Sequence, residues 1–501
     1  MSSIPAGIRA PGTFVSFKPG ASKNPTHSLK ILVVGHQNSD KNNMDHRPES
    51  VRNNAHASEL YGPGSILAQT IEAVRKNNPL NEIYGMTLAE PDGAYATCIV
   101  RLVGNSAEES GVLTFYIAGT AINVAVAIGE TPTTVEPNTK GIVERIFDEI
   151  KRLESRLPCV AALNTDKDTI ILTARHKGKI GNTIDVRYEY YGTERPVKGL
   201  EISDNDFTGG TLFPDASEIF SIAGGVQWDF IVFPWADAAT IKPVREELNK
   251  RWGPLYLNDG RLVTASTGDY NTLISVTVTQ NNEINSPHIV VVEASKSPTS
   301  SWVVAGAAVG AIASSAQNNP AVPFRNTELV GVLPARAEDS LSFQSRNQLL
   351  FKGIATTKNG FGGKLLLERV ITTYIKNDAG HDDASYLDLN TLLTLSQMRT
   401  TIHTHFDTKY AKAILMDEES ADELDPGISF LTPKLAENDS VLLFKGFRSK
   451  GWVQNLSYFE DNIKAVISDD GRMDVYWNTP LTQGLKVLGF DVSFLFKTEE
   501  G

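Results

Sequence analysis

Residues able to do chemistry are sparse and badly spaced in this chain. Gly360-Phe361-Gly362-Gly363-Lys364 has the outline of a phosphate-binding loop. It lacks the first glycine at the spacing such a loop needs, and Leu365 stands where Ser or Thr would hold magnesium. The segment reads instead as a glycine turn before a strand. His381, Asp382 and Asp383, with His403 and His405, offer ligands for a metal. Two helical residues at i and i+2 do not share a face, and no HExxH or paired-Cys spacing supports a metal centre. Cys98 and Cys159 sit in apolar surroundings, where inert packing is the ordinary role of a thiol. No GxSxG elbow is present. The sequence therefore offers no catalytic, cofactor-binding or metal-binding residues.

Composition narrows the class. The chain has 501 residues, 41% hydrophobic and 21% charged, enough for a large core without crosslinks. Length alone suggests about three domains. Forty-seven bases against 59 acids give a net charge of −12, which argues against broad contact with a nucleic-acid backbone. Two cysteines are too few for a disulfide framework and fit a reducing compartment. The first 20 residues hold Pro5, Gly7, Pro11 and Gly12 and no long apolar run, so no secretory signal is expected. The Ala/Gly-rich run 302–316 is shorter than a membrane span needs. Its Gly306 and Gly310 suit a buried helix in close packing. No membrane insertion is expected.

The elements follow from periodicity. Residues 1–20 read as an extended arm, with strand composition at Thr13, Phe14, Val15, Ser16 and Phe17. Continuous apolar runs at 31–35 and 230–233 suit strands covered on both faces. Residues 36–56 read as a loop. A helix is expected from Ser65, another over 140–157 with Ile142, Ile146 and Ile150 on one stripe, and a third capped by Thr240. Strands are expected at 112–117, 122–128, 170–174, 184–190, 262–265, 273–279, 289–292, 329–333 and within 365–374. Helices are expected over 302–316 and 390–406. The segment 417–425, with six acids and no base, reads as a solvated loop. Near the end, Leu488, Phe490, Val492, Phe494 and Phe496 alternate as a strand. The expected fold is an α/β core with an inserted α+β, β-rich domain. Its divisions are an arm 1–20, core 21–90, insertion 91–212, core 213–400, a C-terminal part 401–485 and a strand arm 486–501.

Several segments, in order, resemble the Mu-like contractile bacteriophage tail sheath family. They include Ile4-Pro5, Pro11-Gly12, Leu60-Tyr61-Gly62-Pro63-Gly64-Ser65 and Phe230-Ile231-Val232-Phe233-Pro234-Trp235-Ala236-Asp237. Ala321-Val322-Pro323-Phe324 and Val330-Gly331-Val332-Leu333-Pro334 follow. Glu368-Arg369-Val370-Ile371-Thr372-Thr373-Tyr374, Ser385-Tyr386-Leu387-Asp388-Leu389-Asn390-Thr391-Leu392 and Thr432-Pro433-Lys434-Leu435 complete the set. The acidic stretch within 407–431 departs from the family pattern.

The resemblance implies a non-enzymatic subunit of a virion tail, assembled in the host cytoplasm. It would polymerise with itself as a helical sleeve around a tail tube protein, with baseplate and tail terminator proteins as further partners. Contraction would drive the tube through a host envelope, and 91–212 would protrude. A sheath of an R-type bacteriocin or related injection particle fits the same segments. A soluble α/β enzyme without a recognisable motif and a monomeric binding module are the readings from other classes. For the sheath, Thr13, Phe14, Val15 and Phe17, and Phe490, Val492, Phe494 and Phe496, are the expected strand-exchange contacts. Lys445, Arg448 and Lys450 are candidates to face the tube.

Overall fold

The computed structural model describes residues 29–494, apart from 42–44, 135, 137–138, 204–205, 255, 257, 278–283, 422, 426 and 470. The arm residues Thr13, Phe14, Val15 and Phe17, and Phe496, lie outside the described residues.

The first strands and helices are β1 (Lys30–Gly35), β2 (Glu49–Ser50), α1 (Asn54–Tyr61), α2 (Ile66–Asn77) and β3 (Glu82–Thr87). Then come β4 (Tyr95–Val103), β5 (Gly111–Ile117), β6 (Thr120–Val126), α3 (Ile142–Leu153), β7 (Cys159–Leu163), β8 (Thr169–Lys177), β9 (Val186–Tyr188) and β10 (Glu201–Ile202). The α/β alternation resumes with α4 (Ile219–Ala223), β11 (Phe230–Val232), α5 (Ala238–Arg251), β12 (Arg261–Ser266), α6 (Tyr270–Thr277), β13 (Ile289–Glu293) and α7 (Ser301–Asn318). After these come α8 (Phe343–Phe351), β14 (Ile354–Gly360) and β15 (Lys364–Arg369). The last part holds α9 (Leu389–Tyr410), β16 (Ile414–Leu415), α10 (Glu418–Ala421), β17 (Phe430–Leu431), α11 (Pro433–Ser449), α12 (Leu456–Asn462), β18 (Lys464–Asp469) and β19 (Arg472–Tyr476).

An eight-stranded sheet, ordered β15-β14-β13-β12-β11-β1-β3-β2, forms the centre. Its neighbours pair in parallel from β14 through to β3, while β2 and β15 run antiparallel at the edges. Parallel strands need crossovers and are covered on both faces. The apolar runs of β1, β11 and β13 are accordingly buried. Between β3 and β11 the chain leaves this sheet. There it builds a four-stranded sheet, β10-β4-β8-β7, and a three-stranded sheet, β6-β5-β9. One apolar cluster joins these strands to the central sheet, running from Leu32, Val34 and Met86 to Cys98, Phe115 and Leu172.

Local chemistry explains the helices. Ser65 caps α2 by accepting from the Ala68 amide at 3.1 Å. In α3, Ile142, Ile146 and Ile150 are buried. On α7, a Cβ at Gly306 would lie 2.7 Å from the Thr70 carbonyl, and one at Gly310 2.5 Å from the Val74 carbonyl. The two glycines thus let α7 seat directly on the backbone of α2. Among the described residues, no helix is long and apolar enough to cross a membrane.

Several expectations need correcting. The run expected as a strand at 273–279 holds α6 through residue 277. Asp269 accepts from the Thr272 amide at 2.8 Å and nucleates a helix, which the crossover from β12 to its parallel neighbour β13 requires. Residues 329–333 form no strand, and the chain turns at 330–331, where Gly331 takes φ +89°, a left-handed conformation that breaks a strand. An isolated bridge, Glu328 to Leu366, and the Leu329 amide donating to the Leu365 carbonyl at 2.9 Å join the stretch to β15. The helix expected to be capped by Thr240 is capped three residues earlier, by Asp237. Within 36–56, expected as a loop, lie β2 and the start of α1. Within the acidic 417–425 segment lies the short helix α10. The alternating run at 488–494 forms no strand. A strand exists only as part of a hydrogen-bonded ladder, and no ladder among the described strands includes 488–494.

Candidate subunit-contact surfaces

Doubly wound sheets hold ligands outside the carboxyl ends of their strands, where the strand order reverses. Here that point lies between β1 and β11. It is filled by the protein's own side chains. His36, just past β1, is 0% exposed, and Trp235, just past β11, packs on it with ring centroids 4.9 Å apart. His176 of β8 approaches His36 to 5.6 Å. Burial, and then the neighbouring His176, lower the His36 pKa to about 4. Glu90 closes the cluster. Burial works to raise its pKa, but the hydrogen bond from His176 holds the carboxyl below its ordinary range. His36, His176 and Trp235 thus occupy the place where the fold would offer a ligand site.

The other chemical candidates are structural. Gly362 and Gly363 take φ of +74° and +71° and turn the β14–β15 hairpin, with Phe361 fully exposed at its tip. Lys364 pairs with Glu328 at 2.6 Å. Asp383 accepts from the Tyr374 hydroxyl at 2.6 Å, and the His381 amide donates to Asn377. His405 on α9 lies 3.0 Å from Asp439 on α11, which also accepts from Lys409 and Tyr410. His403 is exposed on α9 and does not join this group. Among the described residues, no group of His, Cys, Asp and Glu could hold a metal ion. Cys98 and Cys159 are free and buried, and burial pushes the Cys159 thiol up to about 12. A polar cleft of about 480 Å³ lies between α2, the start of α7 and the β5–β6 turn. Its lining, including Gln69, Arg156 and Gly331, presents no nucleophile paired with a base.

The C-terminal part offers surfaces of another kind. Its own apolar cluster gathers Met398, Phe444, Phe447, Trp452, Val453 and Phe459. Phe444 and Phe459 stack at 4.0 Å. On this body sits the hairpin β18–β19, a sheet of two strands only. The Trp477 indole donates to Ser440 at 3.1 Å and fixes the hairpin to α11. The chain then folds back briefly. Val453 bridges to Leu481, and Lys486 pairs with Asp388 at 2.6 Å. Beyond that point Phe490, Val492 and Phe494 are 80%, 77% and 74% exposed, and Val487 and Leu488 are exposed too. Three of the expected strand-exchange residues therefore lie on an exposed apolar tail.

The basic candidates are all exposed. Lys445 and Arg448 lie on α11, and Lys450 follows as its C-cap. Lys445 pairs with Glu460 at 3.4 Å, and the Lys450 ammonium sits 4.6 Å from the Trp452 ring. Beside them, a Cβ at Gly446 would meet nothing within 4 Å. Sequence reasoning missed the hairpin β18–β19. The Asp470-Gly471 pair between two apolar-rich segments was the signal for it.

Comparison with known proteins matches residues 211–373 to the family described as phage tail sheath protein central domain. The Mu-like prophage FluMu tail sheath protein of Haemophilus influenzae is 28% identical over 499 residues, 99% of each chain. Among solved structures, a sheath tail protein of Desulfitobacterium hafniense aligns with a TM-score of 0.43 and 10% identity, covering 91% of this chain and 93% of that one. The helical sheath of the anti-feeding prophage in its contracted state aligns with a TM-score of 0.42 and 10% identity, covering 98% and 100%.

Proposed function

We propose that this chain, which belongs to the phage tail sheath family, is the structural subunit of a contractile tail sheath that polymerises as a helical sleeve and works without catalysis. The observation that carries this reading is similarity to a Mu-like tail sheath protein along 99% of both chains. The subunit is a component of the virion tail, assembled in the host cytoplasm. Its partners are further copies of itself, a tail tube protein, the baseplate and a tail terminator.

The division into bodies and arms follows from the same reading. Residues 21–90 and 213–400 form the α/β core, 91–212 the protruding insertion, 401–485 the C-terminal body, and 1–20 and 486–501 the arms. The exposed alternation Leu488, Phe490, Val492 and Phe494 would pair, as a strand, with a neighbouring copy. The isolated hairpin β18–β19 is a fitting acceptor, because its strands pair only with each other among the described residues. Strand addition supplies main-chain hydrogen bonds and side-chain burial together. Donation from one copy to the next is heterologous and does not close, so it builds a helix. Arms of this kind tether bodies that slide to new contacts on contraction.

The tube-facing surface is the α11 face bearing Lys445 and Arg448. A glycine inside an exposed helix costs about 1 kcal/mol against alanine. Gly446 has no neighbour among the described residues to account for it, and its absent side chain lets another surface approach closely. Reversing charge with Lys445→Glu and Arg448→Glu is expected to cut cosedimentation with tail tubes at least tenfold while leaving the thermal melt in place. Unchanged sleeve formation on tubes would remove this surface from the proposal.

A further inference from the structure

Two histidine rings lie where the inserted strands meet the carboxyl ends of the parallel sheet, and their partners fix both tautomers. The Ile66 amide can only donate, so His176 Nε2 accepts it at 3.3 Å. His176 Nδ1 then carries the proton and donates to Glu90 at 2.7 Å. The Leu88 carbonyl can only accept, so His36 Nδ1 donates to it at 2.8 Å. His36 Nε2 is left as a buried lone pair that meets no partner among the described residues. Each contact joins a different segment. Ile66 opens α2, Leu88 and Glu90 follow β3, His36 follows β1, and His176 belongs to the inserted sheet.

A second proton would land on the wrong nitrogen of either ring. On His176 it would confront the Ile66 N–H, at the positive end of the α2 dipole. On His36 it would create a buried N–H with no acceptor, beside the second ring. Among the described residues the facing carboxylate is Glu90, and it is already engaged by His176 and by the Lys177 amide at 3.4 Å. From the β11 side the facing group is the neutral Trp235 indole.

We propose that His36 and His176 form an acid-sensitive latch that holds the inserted strands β4–β10 onto the α/β sheet. Closed, the latch requires the His36 ring neutral. Opened to water, His36 regains an ordinary affinity for a proton. A histidine pKa lowered in the closed state makes closure stable above about pH 6.5, and that stability is lost as pH falls towards 4. For His36 alone, the opening equilibrium rises roughly 25-fold between pH 7.5 and pH 5.

Hydrogen exchange on the full chain, corrected for intrinsic rates, tests this at pH 7.5 and pH 5. Protection is expected to fall roughly 25-fold in peptides holding the start of α2 and strand β8, and to persist in β12 and β13. Glutamine keeps hydrogen-bonding capacity but does not titrate. The double variant His36→Gln, His176→Gln is expected to lose the pH difference. Equal protection at both pH values in the natural chain, or the same acid loss in the variant, would overturn the latch. If the variant fails to fold, titration of isotope-labelled histidine rings in the natural chain decides. A His36 midpoint below 5 supports the latch, and one above 6 refutes it.

Discussion

A chain ending at Leu485 is expected to fold normally and to form no sheath. Residues 487–494 add nothing to the apolar clusters that hold the three parts together. Their side chains are exposed, and the truncation removes the surface pair Lys486–Asp388. Exposed pairs contribute about 0–1 kcal/mol, so the melting temperature should barely move. Assembly is a different matter. Each tail places several large apolar side chains in water, and each is worth about 1.5–3 kcal/mol when covered. Removing them takes away both the apolar burial and the main-chain ladder proposed between copies. Circular dichroism should report an unchanged fold, and sedimentation should report subunits at concentrations where the full chain forms tubes. Deletion of residues 1–20 is expected to do the same. Normal tubes from both truncations would contradict the strand-exchange account.

The second large effect lies inside the subunit. Asp259 and Arg261 are 3% and 1% exposed and pair at 2.8 Å. Asp259 also meets Arg399 and Ser396 of α9, and Arg261 donates to the Leu392 carbonyl at 3.1 Å. Both guanidinium groups lie over Trp252. This network pins α9, which leads into the C-terminal body, to the end of β12. Asp259→Ala would leave Arg261 buried without its counter-ion, and the expected loss is about 3–5 kcal/mol. Burial works to raise the Asp259 pKa, but Arg261 and Arg399 outweigh it and hold the carboxyl at about 2. A depressed carboxyl pKa stabilises the fold above about pH 4, and the benefit fades as pH falls towards 2. Denaturant unfolding at neutral pH should show the loss. The variant should lack the part of the acid transition that Asp259 supplies. A loss under 1 kcal/mol would mean that the network does not pin the helix.

The parts of the fold legible in the sequence were those whose signal is local. Ile31-Leu32-Val33-Val34-Gly35 announces a strand buried on both faces. Ser65 and the isoleucine stripe of α3 announce helices. Strand β4 was missed because Tyr95-Ala96-Thr97-Cys98-Ile99-Val100-Arg101-Leu102-Val103 is apolar at many positions of both parities, although only one face is buried. Helix α6 was misread because Leu273, Ile274 and Val276 suit either state, and the crossover decides between them. At 329–333 the composition suited a strand, but Gly331 turned the chain.

The chemistry divides in the same way. The reading of 360–364 as a glycine turn before a strand agrees with the turn between β14 and β15. The filling of the sheet's crevice by His36, His176 and Trp235 was not legible, because these residues are far apart in sequence and only the topology brings them together. Lys445 and Arg448 could be seen as a basic cluster. That they share a helix with a glycine lacking neighbours could not.

Electron microscopy of the purified full-length protein, alone and mixed with its tail tube, tests the central claim most directly. Hollow helical cylinders, or sleeves of regular repeat on the tubes, are the expected result. Monomers at every concentration that leave the tubes bare would contradict the sheath assignment.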